Sequence, residues 1–93
     1  MAADLAEKMD RYERMLADAL EAERRPPADT ALGGAAADCR EMAESYLRDG
    51  RHFRAADDPV NALAAFSYGY GWLDCGVRMG LFSVPEETDL FTM

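Results

Sequence analysis

The chain has no isoleucine, no glutamine, one lysine (Lys8) and one histidine (His52) in 93 residues. It has no apolar run approaching the ~20 residues that a membrane-spanning helix needs. Asp4, Glu7 and Lys8 bring charge into the segment where a secretory leader would turn apolar. These absences argue against membrane association and give the expectation of a cytoplasmic protein. Two cysteines, Cys39 and Cys75, are too few for a disulfide framework. Neither they nor His52 stand at metal-ligand spacing, so no metal and no cofactor are expected. Gly69, Gly71 and Gly76 fall inside a helical pattern with no strand before them, which excludes a phosphate-cradling loop. No acid–base or nucleophile pair is visible, and an enzyme is not expected.

What the sequence has in excess is acid. Eighteen Asp and Glu stand against ten Lys and Arg, a formal charge of −8. A high-GC coding bias enriches Ala, Arg, Asp and Gly, but it does not produce that imbalance. The composition therefore predicts an acidic, halophile-type surface, self-repelling in dilute buffer and screened by salt.

Three helical patterns follow one another. The first runs from about Asp4 to Arg25, with Leu5, Met9, Tyr12, Leu16, Ala19 and Leu20 on one stripe, and Pro26-Pro27 stops it. Residues 26–34 read as a linker. Asp29 or Thr30 can cap an early start of the second helix, or the helix begins beyond Gly34. The second helix continues to Ala55 or Ala56 with Gly50 inside it. Asp58-Pro59 then starts a third helix that runs to Met79, with Gly80 as its left-handed terminator. The bundle is expected over residues 1–82, with a tail over 83–93.

The second and third helices carry complementary edges. Ala36, Cys39, Ala43, Tyr46, Gly50 and Phe53 are spaced 3, 4, 3, 4, 3, as are Ala62, Ala65, Gly69, Trp72, Gly76 and Met79. Folded back at Asp57-Asp58-Pro59, they pair as Phe53/Ala62, Gly50/Ala65, Tyr46/Gly69, Ala43/Trp72, Cys39/Gly76 and Ala36/Met79. Nearly every rung sets a bulky side chain against a slight one, as close helix packing requires. The fold class this predicts is all-α, an up-and-down three-helix bundle with a tight antiparallel hairpin. Cys39 and Cys75 fall at one level of it. Helix axes about 8–10 Å apart, and the rotation of Cys75 away from the Gly76 position, favour free thiols over a disulfide.

The third helix is apolar on almost every side. Leu63, Phe66, Tyr70, Leu73 and Val77 can face the first helix. A third stripe of Val60, Ala64, Ser67, Gly71, Asp74 and Arg78 is left over. With Tyr68 beside it, this stripe is the candidate contact surface for a protein partner or a second copy. The tail residues Leu90 and Phe91 are candidates to supplement it. Against that, small residues can sit exposed without consequence, and Asp74 and Arg78 can form a plain i, i+4 ion pair. Arg48, Arg51, His52 and Arg54 form the densest basic cluster, an alternative site for a small anionic ligand or nucleotide. A helix C-terminus attracts cations in any case. The net charge also sets the chain against nucleic acid.

The segment Ala62-Leu63-Ala64-Ala65-Phe66-Ser67-Tyr68-Gly69-Tyr70-Gly71-Trp72-Leu73-Asp74-Cys75-Gly76-Val77-Arg78 resembles the archaeal domain of unknown function 357 family. That family's pattern reads roughly A-A-F-S-Y-x-x-G-W-L-D-A-G-V-R. Tyr46, Phe53 and Asp57-Asp58-Pro59 look like its second helix and turn, so the likeness covers about residues 38–82. Cys75 stands where the pattern has alanine. The resemblance implies a three-helix bundle of archaeal type and brings no established activity with it.

Overall fold

A computed structural model describes residues 4–24 and 30–83. Three helices make an all-α bundle: α1 (Leu5–Ala22), α2 (Ala31–Ala55) and α3 (Pro59–Arg78). Each start is fixed by a side-chain cap. The Glu7 N–H donates to Asp4 Oδ1 (3.1 Å), the Gly33 N–H to Thr30 Oγ1 (2.9 Å) and the Asn61 N–H to Asp58 Oδ1 (3.3 Å). The early start of α2 is thus the one adopted, capped by Thr30, and Gly50 lies inside a continuous helix. The first helix is shorter than its periodicity suggested. It ends at Ala22 rather than Arg25, because the Glu23 backbone turns extended (φ −68°, ψ 145°). Its last turn is closed from outside: Arg40 Nη1 donates to the Leu20 carbonyl (2.7 Å) and also pairs with the buried Glu23.

Both later helices end in the same way. At the α2 terminus the Asp58 N–H reaches the Phe53 carbonyl (2.9 Å) and the Asp57 N–H the Arg54 carbonyl (3.1 Å). This requires Asp57 to adopt φ 60°, which a short polar residue tolerates. At the α3 terminus Leu81 bonds to Gly76 (2.8 Å) and Gly80 to Val77 (3.1 Å), with Gly80 at φ 80°. The chain then turns back, and Ser83 exchanges two backbone hydrogen bonds with Arg24, at 2.8 and 3.0 Å.

Helix α3 packs most closely on α2, next on α1, and α1 touches α2 least. Its inner residues Ala62, Ala65, Phe66, Gly69, Leu73 and Gly76 are buried, together with Leu16, Ala19 and Leu20 of α1 and Ala36, Ala43 and Gly50 of α2. The expected hairpin forms, but with different rungs. Tyr46/Gly69 is present: a Cβ on Gly69 would lie 2.9 Å from Tyr46 Cβ, 3.3 Å from the Ala43 carbonyl oxygen and 2.8 Å from Leu16 Cδ2. Gly50 opposes the Phe66 ring rather than Ala65, because the larger side chain takes the notch. Gly76 is covered by Phe82 from the returning chain, rather than by Cys39. Met79, expected against Ala36, is 70% exposed and sits past the end of the helix.

The acidic, halophile-type surface is the expectation the structure overturns. The described surface is rich in arginine, and five of its arginines are tied to carboxylates. Arg11 meets Glu7 (3.8 Å), Arg40 meets Glu44 (2.7 Å), Arg51 meets Glu13 (2.9 Å) and Arg78 meets Asp74 (3.2 Å). Arg54 bridges Asp10 (2.5 Å) and Glu13 (2.6 Å). The formal charge of −8 stands, but composition does not say where charges sit, and here the arginines of α2 draw carboxylates of α1 into pairs.

Gly69 and Gly71 provide a matched test of this packing. Overfilling a core costs about 1–3 kcal/mol, and alanine returns about 1 kcal/mol of helix propensity. At Gly69, where Tyr46 Cβ and a backbone oxygen cannot yield, Gly69→Ala is expected to lower the urea midpoint. At Gly71, where a Cβ meets nothing within 4 Å, Gly71→Ala is expected to raise it. Equal shifts from the two substitutions would contradict the packing.

Candidate functional site

Helix α3 has buried one side in α2 and another against α1, so the remaining side defines the site. Val60, Ala64, Ser67, Gly71 and Arg78 are exposed there, with Asp74 half-buried. Five of the eight residues predicted for partner contact therefore share one open face: Ala64, Ser67, Tyr68, Gly71 and Arg78. Tyr68 is 64% exposed, and its ring lies 5.0 Å from that of Tyr46 at 42°, a tilted pair that spans α2 and α3. Asp74 and Arg78 are joined at 3.2 Å, as i, i+4 spacing allows. Leu90 and Phe91 lie outside the described residues.

Between these side chains lies an open groove of about 450 Å³, lined by Ser67, Tyr68, Gly71, Trp72 and Cys75. Small residues form its floor because Ser67, Gly71 and Cys75 recur at every fourth position. Trp72 adds an unusual feature. Its Nε1 is buried and has no hydrogen-bond partner. A buried donor left unpaired costs about 1–3 kcal/mol.

The basic cluster at the end of α2 does not present a set of free cations. Arg51 and Arg54 reach across to Glu13 and Asp10 of α1. The Arg54 guanidinium is held further toward its charged form, first by its hydrogen bond to Asp10. Arg48 and His52 are exposed, and the His52 ring lies 6.1 Å from that of Phe53. The four side chains share one end of the helix but do not converge on one point with free donors.

Two further groups are shifted by their surroundings. Burial pushes the Cys39 thiol up, with smaller contributions in the same direction from Cys75 and Asp38. Burial also raises the Tyr70 hydroxyl, with Asp74 adding to the rise and Arg78 opposing it. Both cysteines are free, Cys39 half-buried and Cys75 exposed. Among the described residues no three of His, Cys, Asp and Glu gather to hold a metal ion. No described helix is long and apolar enough to cross a membrane.

Sequence reasoning placed Trp72 in the hairpin seam with an edge toward the outer stripe, and that edge lines the groove; it gave Cys75 no role, yet Cys75 lines the groove as well. The signal for Cys75 was present, since it follows Gly71 by four residues. No comparable signal marked Glu13 and Asp10 as partners of α2 arginines some forty positions away.

Residues 11–82 match the family described as protein of unknown function (DUF357), and the chain belongs to that family. No curated protein and no solved structure matches it.

The thiols give a direct check on the burial pattern. A disulfide reagent at neutral to mildly alkaline pH should label Cys75 rapidly and Cys39 slowly, and Cys75→Ser should remove the fast phase. The folded protein holds the Cys39 proton more tightly than the unfolded chain does. Its contribution to stability is therefore complete below the ordinary thiol range and is lost as pH rises through the raised value. Two equal labelling rates would contradict this picture.

Proposed function

We propose that this chain is a non-catalytic helical module that binds another protein, or a second copy of itself, along the outer face of α3 in a cytoplasmic setting. The observation that carries the reading is the groove: small residues on its floor and an exposed Tyr68 at its rim. Small floor residues let a partner's backbone come close, as they do between α2 and α3. An exposed aromatic and an arginine are residue types enriched at the centres of interfaces. Asp74 and Arg78 neutralise each other, so the face adds no net charge to repel an approaching surface. The partner would lay bulky side chains over Ser67 and Gly71.

The anionic-ligand reading is the weaker one, because Arg51 and Arg54 already hold carboxylates. It predicts a thermal shift with phosphate-bearing compounds that Arg51→Ala abolishes.

A photo-crosslinking residue placed at Ser67 should yield a discrete adduct in native extract, or a dimer in purified protein. The same residue at exposed Arg14 on α1 should yield neither. Gly71→Trp, at a position where an added Cβ meets nothing within 4 Å, should fill the groove and suppress the Ser67 adduct while leaving the helical circular dichroism intact. Adducts at both positions, or at neither, would overturn the proposal.

A further inference from the structure

The groove on α3 is extended by a face of α2. Tyr68 at the rim of the groove lies 5.0 Å from the Tyr46 ring, so the surface around Tyr46 continues it. Met42, one turn before Tyr46, is 38% exposed there. Asp38 stands one turn before Met42, and Asp49 comes three positions after Tyr46. At 3.6 residues per turn both aspartates are rotated by about 60–80° from Tyr46, and to the same side. Arg40, Arg51 and Arg54 are rotated to the other side, where they meet Glu23, Glu13 and Asp10. Asp38 and Asp49 are exposed, and neither makes an ion pair among the described residues. Eleven positions make about three helical turns, so the two carboxylates lie in one line about 16 Å apart, with Met42 and Tyr46 between them.

We infer that the occupant of this face is a basic helical segment of another protein, an inference that rests on the interaction reading of the groove. The segment lays bulky apolar side chains over Ser67 and Gly71 and sets a lysine or arginine against each of Asp38 and Asp49. One helix meets both demands when its cations stand eleven residues apart and its apolar residues fall between them on the same face. Charge decides among the occupants. Asp74 and Arg78 neutralise each other, and Glu41 and Arg48 lie together on the far side of α2. Asp38 and Asp49 therefore set the sign of the surface on the α2 side of the groove. Nucleic acid and an anionic lipid surface carry the wrong sign. A second copy brings the same two carboxylates and its own formal charge of −8, so the copies repel. A basic segment is drawn in, and rim charges of this kind act on selectivity and association rate more than on affinity.

Trp72 is the only tryptophan and lines the groove, which supplies an optical reporter. The full chain is titrated with two synthetic amphipathic helical peptides that lack aromatic residues. Both carry leucines on one face; one has lysines eleven residues apart, the other glutamates at those two positions. The lysine peptide should shift Trp72 emission to the blue and crosslink to a photoreactive residue at Ser67. It should bind about tenfold or more tightly than the glutamate peptide in dilute buffer, with the gap closing as salt rises. Asp38→Asn with Asp49→Asn should weaken the lysine peptide by roughly 2–30-fold, the range that two exposed ion pairs span, and leave the circular dichroism unchanged. Asp18→Asn with Glu21→Gln removes two exposed carboxylates from α1 and should change binding by less than about twofold. Equal losses from the two double variants would mean attraction to net charge alone and would overturn the inference. Equal binding of both peptides, each labelled at Ser67, would overturn the basic partner and leave the interaction reading standing. Labelling of Ser67 by neither peptide would also overturn the inference, and the Ser67 adduct in native extract then tells whether the interaction reading falls with it. A dimer of the purified chain, crosslinked through Ser67 and not displaced by the lysine peptide, would give the face to a second copy and overturn it equally.

Discussion

The absent side chain of Gly69 is the constraint on which the rest of the molecule depends. At that point α3 presses on Tyr46 and the Ala43 backbone of α2, and on Leu16 of α1, with no room for one more carbon. A closest-approach point fixes distance and register together, since sliding a helix by one residue would drive a side chain into the partner backbone. The other notches follow from that register. Gly50 accepts the Phe66 ring on one side of the junction, and Gly76 accepts Phe82 on the other. Phe66, Leu16 and Leu73 become the largest fully buried side chains around it.

The same constraint leaves something over. A helix held so deeply between two others has only one face free, and in α3 that face is nearly uncharged apart from the Asp74–Arg78 pair. The groove at Ser67, Gly71 and Cys75, flanked by Tyr68 and Trp72, opens on that free face. The site and the fold are two sides of one helix.

Much of this was legible in the residues. Capping by Asp4, Thr30 and Asp58 and the left-handed Gly80 are local chemistry, written in short stretches of chain, and the helices start and stop largely where that chemistry directs. The alternation of slight and bulky residues revealed the hairpin and the Tyr46–Gly69 contact. It failed at Gly50 and Gly76 because spacing alone cannot rank competitors for a notch. Phe66 and Phe82 win through size, and Phe82 arrives from a chain reversal outside the helical period altogether. The early end of α1 reflects Arg40 and Glu23, a tertiary contact that no periodicity announces. Surface charge was the poorest inference, because a count of acids does not report that Glu13 and Asp10 are bound to arginines of another helix.

Proton–proton cross-relaxation in solution addresses the register most directly. With Gly69 against two helices and Gly71 against none, the Gly69 α-protons should show cross-peaks to the Leu16 methyls and the Tyr46 β-protons. The Gly71 α-protons of the isolated chain should show none beyond α3. Cross-peaks from Gly71 to Leu16, or none from Gly69 to either neighbour, would place a different face of α3 inside and contradict the account.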